Sequence, residues 1–246
     1  MDAIIDWPIA PPNLSIGHGV AHVWAWQLRS SERTLHDYIA LLSPKEQLRM
    51  GCFVFEGHRE SFAVCHAILR ILLGRYLGLH PASIRFTENE FGKPDVAPHT
   101  SPFDLRFNLS HTSHIALLAV TCELEVGVDV EQLRLIDTAI AERFFSDRER
   151  AELRTLAGPQ WLDGFFNCWT RKEAVLKAEG VGIGVSLDAF DVTLLPGDVA
   201  SLVDFRPASG LTADWHIAEL RPAPGFVGAL ATRTAPRETV CYRFVG

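Results

Sequence analysis

The stretch Ser146-Asp147-Arg148-Glu149 and an earlier one, Ser43-Pro44-Lys45-Glu46, set the architecture of this chain. They lie 103 residues apart, and each places a serine three residues before a glutamate, the capping-box pattern that begins a helix. Apolar residues at helical spacing follow each box, over about 59–77 and 165–177. The repeat predicts two alike halves, although capping boxes are common and such matches can also arise by chance.

Strands are predicted in both halves from short alternating or β-branched segments bounded by turn residues. These segments are 22–26, 106–109, 116–120, 126–131, 190–194, 215–220 and 226–231. Helices and strands therefore mix in each half, which predicts an α/β (α+β) fold. We expect two similar lobes, residues 1–122 and 123–246, that meet at a packed junction without a low-complexity linker.

Composition narrows the class of protein. The chain has 246 residues, of which 48% are hydrophobic and 22% charged, so it has enough apolar material for a buried core. A formal net charge of −7 argues against a general nucleic-acid binder, which needs a basic excess. Five scattered cysteines include no Cys-x-x-Cys pair. No leader and no long apolar run stand out, which predicts a cytoplasmic protein that does not bind membranes.

An acidic strand is the first candidate for chemistry. Residues Val126 to Glu131 alternate strictly, so the valines lie on one face and Gly127, Asp129 and Glu131 on the other. Neighbouring carboxylates repel one another unless a cation or solvent separates them, and hard oxygen ligands suit Mg²⁺. We expect Gly127 to leave room for a ligand beside them. The alternative is an edge strand with a solvated acidic face, which is the commoner origin of an isolated Asp-x-Glu.

A helix in the second half carries the other charged candidates. Trp169, Glu173 and Lys177 are spaced four residues apart, so one helix face presents an aromatic ring, a carboxylate and an ammonium group. The pattern favours a partly buried acid and cation, while a surface ion pair is the alternative. Two further segments, 108–112 and 90–94, offer hydroxyl, imidazole and lysine groups to phosphate oxygens, but turns are often built from the same residues.

Taken together, these segments resemble the Sfp-type (surfactin-synthetase-activating) 4′-phosphopantetheinyl transferases. The motifs of that family are a Gly-Lys-Pro turn, Asn-x-Ser-His, Gly-x-Asp-x-Glu and Trp-x-x-Lys-Glu-x-x-x-Lys, and all four occur here in the family's order. The resemblance covers about residues 43–190 and continues weakly through 224–226. It implies a monomer of two alike lobes, related by a pseudo-twofold axis, with coenzyme A between them.

The resemblance also implies roles for particular residues. Mg²⁺ ligands would be Asp129, Glu131 and Glu173, and Glu173 would also accept the proton of the attacking serine. Groups in contact with coenzyme A would be Arg49, Lys93, Ser110, His111 and Lys177. Arg59 is added to this set only because it lies close in sequence to the predicted nucleotide-phosphate site. Of these, Lys177 and His111 are also expected to act in catalysis. Thr112 and Glu46 depart from the residues that many or some family members have there, which affects the nucleotide-phosphate contacts.

The implied reaction moves 4′-phosphopantetheine from coenzyme A to a serine of an acyl or peptidyl carrier protein and releases adenosine 3′,5′-bisphosphate. Carrier domains are acidic in this family, and a basic docking patch is therefore expected at Arg143, Arg148, Arg150 and Arg154, with a solvated helix face as the alternative. Two rival functions are a non-catalytic module that binds coenzyme A or a nucleotide and a Mg²⁺-dependent phosphohydrolase.

Overall fold

The first half of the chain contributes three strands of a four-stranded sheet, a separate two-stranded sheet and one long helix. A computed structural model describes residues 5–28, 34–98, 100–101, 103–206 and 215–245. Its elements in the first half are β1 (Val20–Gln27), α1 (Leu35–Ile39), α2 (Pro44–Gly51), α3 (Glu56–Leu77), β2 (Phe86–Glu88), β3 (Pro94–Val96), β4 (Leu105–His111) and β5 (Ile115–Cys122). Among these described residues, no helix is both long and apolar enough to span a bilayer.

The second half follows a similar plan. Its elements are β6 (Val126–Gln132), α4 (Ala139–Phe144), α5 (Asp147–Leu153), α6 (Pro159–Glu179), β7 (Phe190–Val192), β8 (Leu202–Phe205), β9 (His216–Leu220), β10 (Phe226–Thr232) and β11 (Glu238–Arg243). The helix predicted over 165–177 begins earlier, at Pro159, because a proline at the first helical position needs no hydrogen-bond acceptor for its nitrogen. The mixed α+β fold is confirmed.

The capping boxes and the long helices repeat as the sequence predicts. The side chains of Ser43 and Ser146 each accept a hydrogen bond from the backbone N–H of the glutamate three residues on. The carboxylate of that glutamate in turn accepts one from the backbone N–H of the serine. Helices α3 and α6 both end at a glycine in the left-handed region, Gly78 at φ 66° and Gly180 at φ 72°. The two halves therefore begin their short helices α2 and α5 with the same capping box, and they end their long helices α3 and α6 with the same left-handed glycine.

Two main sheets carry the structure. The strand order is β11-β1-β5-β4 in the first and β6-β10-β9 in the second. Strand β11 runs parallel to β1, with Glu238 opposite Val20 and Arg243 opposite Ala25. Residues 238–243 thus belong to the first sheet, whereas the sequence-based division places them in the second lobe.

The sheets pack face to face between the two long helices. Helix α3 covers the outer face of the first sheet, where Trp24, Trp26 and Phe107 are buried. Helix α6 covers the outer face of the second sheet, mainly over β6 and β10. The inner faces meet in a third cluster that includes Val23 and Val128. The valines of β6 therefore point into the junction, and the opposite face of β6 is turned toward α6.

One side-chain contact aligns the two sheets beside the candidate site. The buried Asn108 of β4 accepts a hydrogen bond from the backbone N–H of Val128 in β6, at 2.9 Å. Because side chains alternate along a strand, Ser110 and Asp129 come to lie next to each other at this junction. The motif Asn-x-Ser-His thus joins the lobes through its first residue and serves the site through its third.

Candidate active site

Three side chains from three elements meet between the lobes. Lys177 of α6 lies 2.5 Å from Asp129 Oδ1 of β6 through its Nζ atom, and it donates to Ser110 Oγ of β4 at 3.1 Å. The Ser110 hydroxyl donates to the same Asp129 oxygen at 2.8 Å. Asp129 and Ser110 are buried, and Lys177 is half-buried. The sequence-based prediction that these residues share one place is consistent with this geometry.

Gly127 explains how α6 comes so close to β6. A Cβ atom at this position would lie 2.0 Å from the carbonyl oxygen of Ala174 and 2.4 Å from the backbone nitrogen of Ala178. The expectation that Gly127 leaves room for a ligand is therefore wrong, because the backbone of the helix fills that space. The glycine instead lets the helix approach the strand, which brings Lys177 within reach of Asp129.

Glu173 is the acid of the site that lacks a cation partner. Within the described part of the chain its carboxylate has no hydrogen bond or ion pair, and it lines a cavity next to Lys177. Burial raises its pKa, and the charges of Asp129 and Glu131 raise it further, against the opposing effect of Lys177. A carboxylate with a raised pKa and free oxygens is suited to accept a proton.

Glu131 is held by a neighbouring arginine. Arg134 lies 2.7 Å from Glu131 Oε2, and its guanidinium group also stacks over the ring of Phe166. Taking the described residues, Asp129, Glu131 and Glu173 do not each bring an oxygen within 4.8 Å of the other two. Asp129 and Glu131 are thus each paired with a cationic side chain of the protein. The role of all three acids as metal ligands stays a prediction.

A basic group lies at the first-lobe side of the cleft. Close packing lowers the pKa of His111, and the charges of His66, Lys177 and Arg49 lower it further, while a hydrogen bond with the Thr112 carbonyl opposes the shift. The side chain nevertheless retains solvent access at the surface. The positive charges of Lys177 and Arg49 thus act on His111, and a concentration of positive charge favours the binding of an anion.

Lys93 and Arg59, two of the residues predicted to contact coenzyme A, lie in different surroundings. The Lys93 ammonium group donates to the Ala178 carbonyl at 2.7 Å and lies 3.2 Å from Glu125 Oε2, so it bridges the two lobes. Arg59 lies in the first turn of α3, and its side chain makes no hydrogen bond or ion pair within the described residues. Lys93 borders the cavity and Arg59 does not line it.

The cavity between the lobes measures about 800 Å³. Its charged members are Lys93, Glu173 and Lys177, and its aromatic members are Phe91, Phe144 and Trp169. Its remaining walls come from the turn before β3, from β4 and from residues 180–187 after α6. A volume of this size, with apolar walls and a few convergent charges, is typical of a site for a cofactor-sized molecule.

Comparisons with known proteins agree with this geometry. Residues 125–230 match the 4′-phosphopantetheinyl transferase superfamily, and residues 25–123 match the family described as 4′-phosphopantetheinyl transferase, N-terminal. The chain is 38% identical over 227 residues to the 4′-phosphopantetheinyl transferase HetI of Nostoc sp. (strain PCC 7120), and 92% of each protein is covered. It is 31% identical to a putative 4′-phosphopantetheinyl transferase, slr0495 of Synechocystis sp. (strain PCC 6803), over 78% of this chain and 77% of that protein. Identity to the 4′-phosphopantetheinyl transferase Sfp of Bacillus subtilis (strain 168) is 29%, over 64% of this chain and 68% of that protein.

The relatives that are named as 4′-phosphopantetheinyl transferases place this chain in the transferase class of enzymes. The chain belongs to the 4′-phosphopantetheinyl transferase family, whose members use coenzyme A and activate carrier proteins. The resemblance, the fold class and the enzyme class are thereby confirmed. The roles of individual residues stay predictions.

Sequence reasoning missed two residues at this site. His66 lies on α3, its ring stacks on Phe62 at 4.0 Å between centroids, and its Nδ1 atom lies 3.5 Å from Glu46. Asn89 joins the lobes beside the cavity. The sequence could have indicated His66, because it lies four residues after the apolar Phe62 on the predicted helix. Asn89 gives no such signal, because its partner is a backbone carbonyl 91 positions away.

Proposed function

We propose that this enzyme transfers 4′-phosphopantetheine from coenzyme A to a serine of an acyl or peptidyl carrier protein, with Mg²⁺ bound at Asp129, Glu131 and Glu173. The observation that carries the proposal is the meeting of Ser110, Asp129 and Lys177 at one end of a cleft that also contains the unpaired carboxylate of Glu173. These groups combine anion binding with a proton acceptor, the two needs of phosphoryl transfer to a hydroxyl.

The acids fit a hard divalent cation. Asp129 Oδ2 is buried and has no hydrogen-bond partner within the described residues, and an oxygen of this kind is stabilised by a cation. Burial raises the pKa of Glu173, and the nearby carboxylates of Asp129 and Glu131 raise it further, as expected where three acids are gathered in one region. When bound, Mg²⁺ supplies neutralisation of charge on the phosphate oxygens.

Other side chains would bind the phosphates of coenzyme A and support the cavity wall. Lys177 and Ser110 donate hydrogen bonds toward the junction, and we propose that they hold the pyrophosphate of coenzyme A. His111 and Arg49, together with His66, would bind the nucleotide phosphates. Lys93 supports the cavity wall from the lobe junction, and a contact with coenzyme A from Arg59 rests only on its proximity in sequence to the predicted phosphate site.

In the reaction itself, the carrier serine oxygen forms a bond to the β-phosphorus, and the bond from that phosphorus to the bridging oxygen of adenosine 3′,5′-bisphosphate breaks. Glu173 accepts the serine proton, since its carboxylate lines the cavity and has no cation partner in the described structure. Lys177 offsets the negative charge that moves to the leaving oxygen.

We propose a carrier-docking patch narrower than the four arginines that the sequence suggests. Arg148 pairs with Glu152, while Arg150 and Arg154 both lie against Glu142. The guanidinium group of the fourth arginine, Arg143, stacks on its neighbour Phe144 and has no ion pair within the described residues. We propose Arg143 as the basic contact for an acidic carrier, and a monomeric state and a cytoplasmic location as further parts of the proposal.

Mass spectrometry of a carrier protein tests the reaction. Apo carrier is incubated with this protein, coenzyme A and Mg²⁺, and the expected result is the mass gain of one phosphopantetheine on the carrier. Parallel incubations with chelator or without coenzyme A should give no gain. An unmodified carrier accompanied by free phosphopantetheine would identify the hydrolase instead, and coenzyme A binding without any product would identify the non-catalytic module.

A further inference from the structure

The turn between β2 and β3 is built around a single side chain. Asn89 Oδ1 accepts hydrogen bonds from the backbone N–H groups of Phe91, at 3.0 Å, and Lys93, at 2.9 Å. The Asn89 backbone N–H also donates to the Lys93 carbonyl at 3.0 Å. This arrangement is an Asx-type turn, in which a side-chain oxygen substitutes for a backbone carbonyl.

The other end of the same side chain reaches the opposite lobe. Asn89 Nδ2 donates to the carbonyl oxygen of Gly180, the residue that ends α6, at 2.9 Å. Beside it, the Lys93 ammonium group donates to the Ala178 carbonyl at 2.7 Å. Carbonyls at a helix C-terminus lack partners within the helix, so both donors satisfy groups that would otherwise need water.

Gly180 is required for this contact to form. Its φ is 72°, and a Cβ atom there would lie 3.0 Å from Asn89 Nδ2 and 3.0 Å from Lys93 Cδ. Glycine is therefore favoured by the backbone and also by the space that the two side chains occupy. The turn and the end of α6 fit together from both sides.

The contact lies beside the cavity. Phe91, Gly92, Lys93 and Pro94 of the turn line the cavity, and so do Glu173, Lys177 and Gly180 on α6 and at its end. Asn89 instead borders a separate, smaller pocket of about 190 Å³. Its side chain is thus behind the wall that it holds.

We infer that Asn89 is a positioning residue for coenzyme A. Its amide holds the turn 89–94 at a set distance from the helix that carries Glu173 and Lys177, so that the cavity is already shaped for the ligand. This inference rests on the proposed function of the cavity as the coenzyme A site. It predicts an effect on coenzyme A binding and none on the chemical step.

The substitution Asn89→Asp removes one of the two hydrogen-bonding functions of the side chain and keeps the other. A carboxylate keeps an acceptor for the N–H groups of the turn but removes the donor to Gly180. The expected result is a rise of roughly fivefold in both the Kd for coenzyme A, by calorimetry, and its KM, the size expected for one lost hydrogen bond. The kcat and the KM for the carrier should stay unchanged, because the bond acts on the ground state and the transition state alike. The Tm should fall by no more than the roughly 2–4 °C expected for one lost hydrogen bond.

Gly180→Ala disturbs the same contact from the helix side. It should also weaken coenzyme A binding, and the double variant should be little weaker than the more affected single one, because both changes remove one interaction. Asn13→Asp, at an exposed position in the lead-in before β1, adds the same charge away from the turn and should leave the Kd unchanged.

The rate of amide hydrogen exchange in residues 86–96 tests the contact between Asn89 and Gly180 in the absence of ligand. Asn89→Asp should accelerate exchange there, since the turn is no longer tied to α6. An unchanged Kd for coenzyme A in Asn89→Asp would overturn the inference, as would a lowered Tm accompanied by equal losses in all kinetic constants. If the unmutated protein bound no coenzyme A, the proposed function would fail, and hydrogen exchange would still decide whether Asn89 ties the lobes.

Discussion

The fully buried ion pair of Lys172 and Glu149 makes the sharpest prediction about stability. Lys172 Nζ lies 2.9 Å from Glu149 Oε1, and both side chains have no exposed surface. The ammonium group also donates to the carbonyl oxygens of Leu187 and Phe190, and Glu149 accepts from the backbone N–H of Ser146. The pair therefore joins α5, α6 and the segment before β7.

The substitution Lys172→Met keeps most of the side-chain volume and removes the charge. Glu149 is then a buried carboxylate without its cation, which costs about 3–5 kcal/mol of unfolding free energy. Since a domain has about 5–15 kcal/mol in total, a large share of the stability is lost. The Tm should fall by roughly 6–20 °C, taking about 2–4 °C for each kcal/mol. Urea unfolding followed by circular dichroism, together with calorimetry, measures both quantities.

Two further variants isolate the cause. Lys45→Met removes an exposed ammonium group that lies 2.7 Å from Glu88, and it should cost under about 1 kcal/mol. The double variant Lys172→Met with Glu149→Gln removes both charges and should recover part of the loss. A Lys172→Met protein within about 1 kcal/mol of the original, or a double variant less stable than Lys172→Met alone, would refute the reasoning.

Three other outcomes are expected. Gly127→Ala should abolish the folded state seen by circular dichroism and size-exclusion chromatography, because its Cβ would lie 2.0 Å from a carbonyl oxygen of α6; a folded, active variant would contradict this packing. Glu173→Gln should lower carrier modification by about 100-fold or more while keeping the Tm, and near-normal transfer would remove Glu173 as the proton acceptor. Burial opposes ionisation of Glu46, but hydrogen bonds to His66 and Arg70 outweigh it and lower its pKa from 4.5 to about 2. The stability that Glu46 contributes is present above about pH 4.5 and is lost as the pH falls toward 2, by about 3 kcal/mol. Urea titrations across this range should show that loss, and a Glu46→Gln variant with the same pH dependence would exclude Glu46 as its source.

The sequence alone determined the features that depend on neighbours along the chain. Capping boxes at Ser43 and Ser146 define helix starts through contacts three residues apart, and the strict alternation of Val126 to Glu131 assigns each side chain to a face of the strand. The matching halves and the motifs of the family follow from the same local patterns. Each of these features could be read before any tertiary contact was known, because the interacting groups are close in sequence.

Only the tertiary structure decided which faces meet and what each charged group touches. Gly127 admits a helix backbone, Lys93 bridges the lobes, and Lys172 is buried although a lysine is ordinarily exposed. Strand β11 joins the first sheet across more than 200 residues of chain. Their partners lie on distant segments, and burial and electrostatic pairing depend on distances in space, which spacing along the chain does not specify.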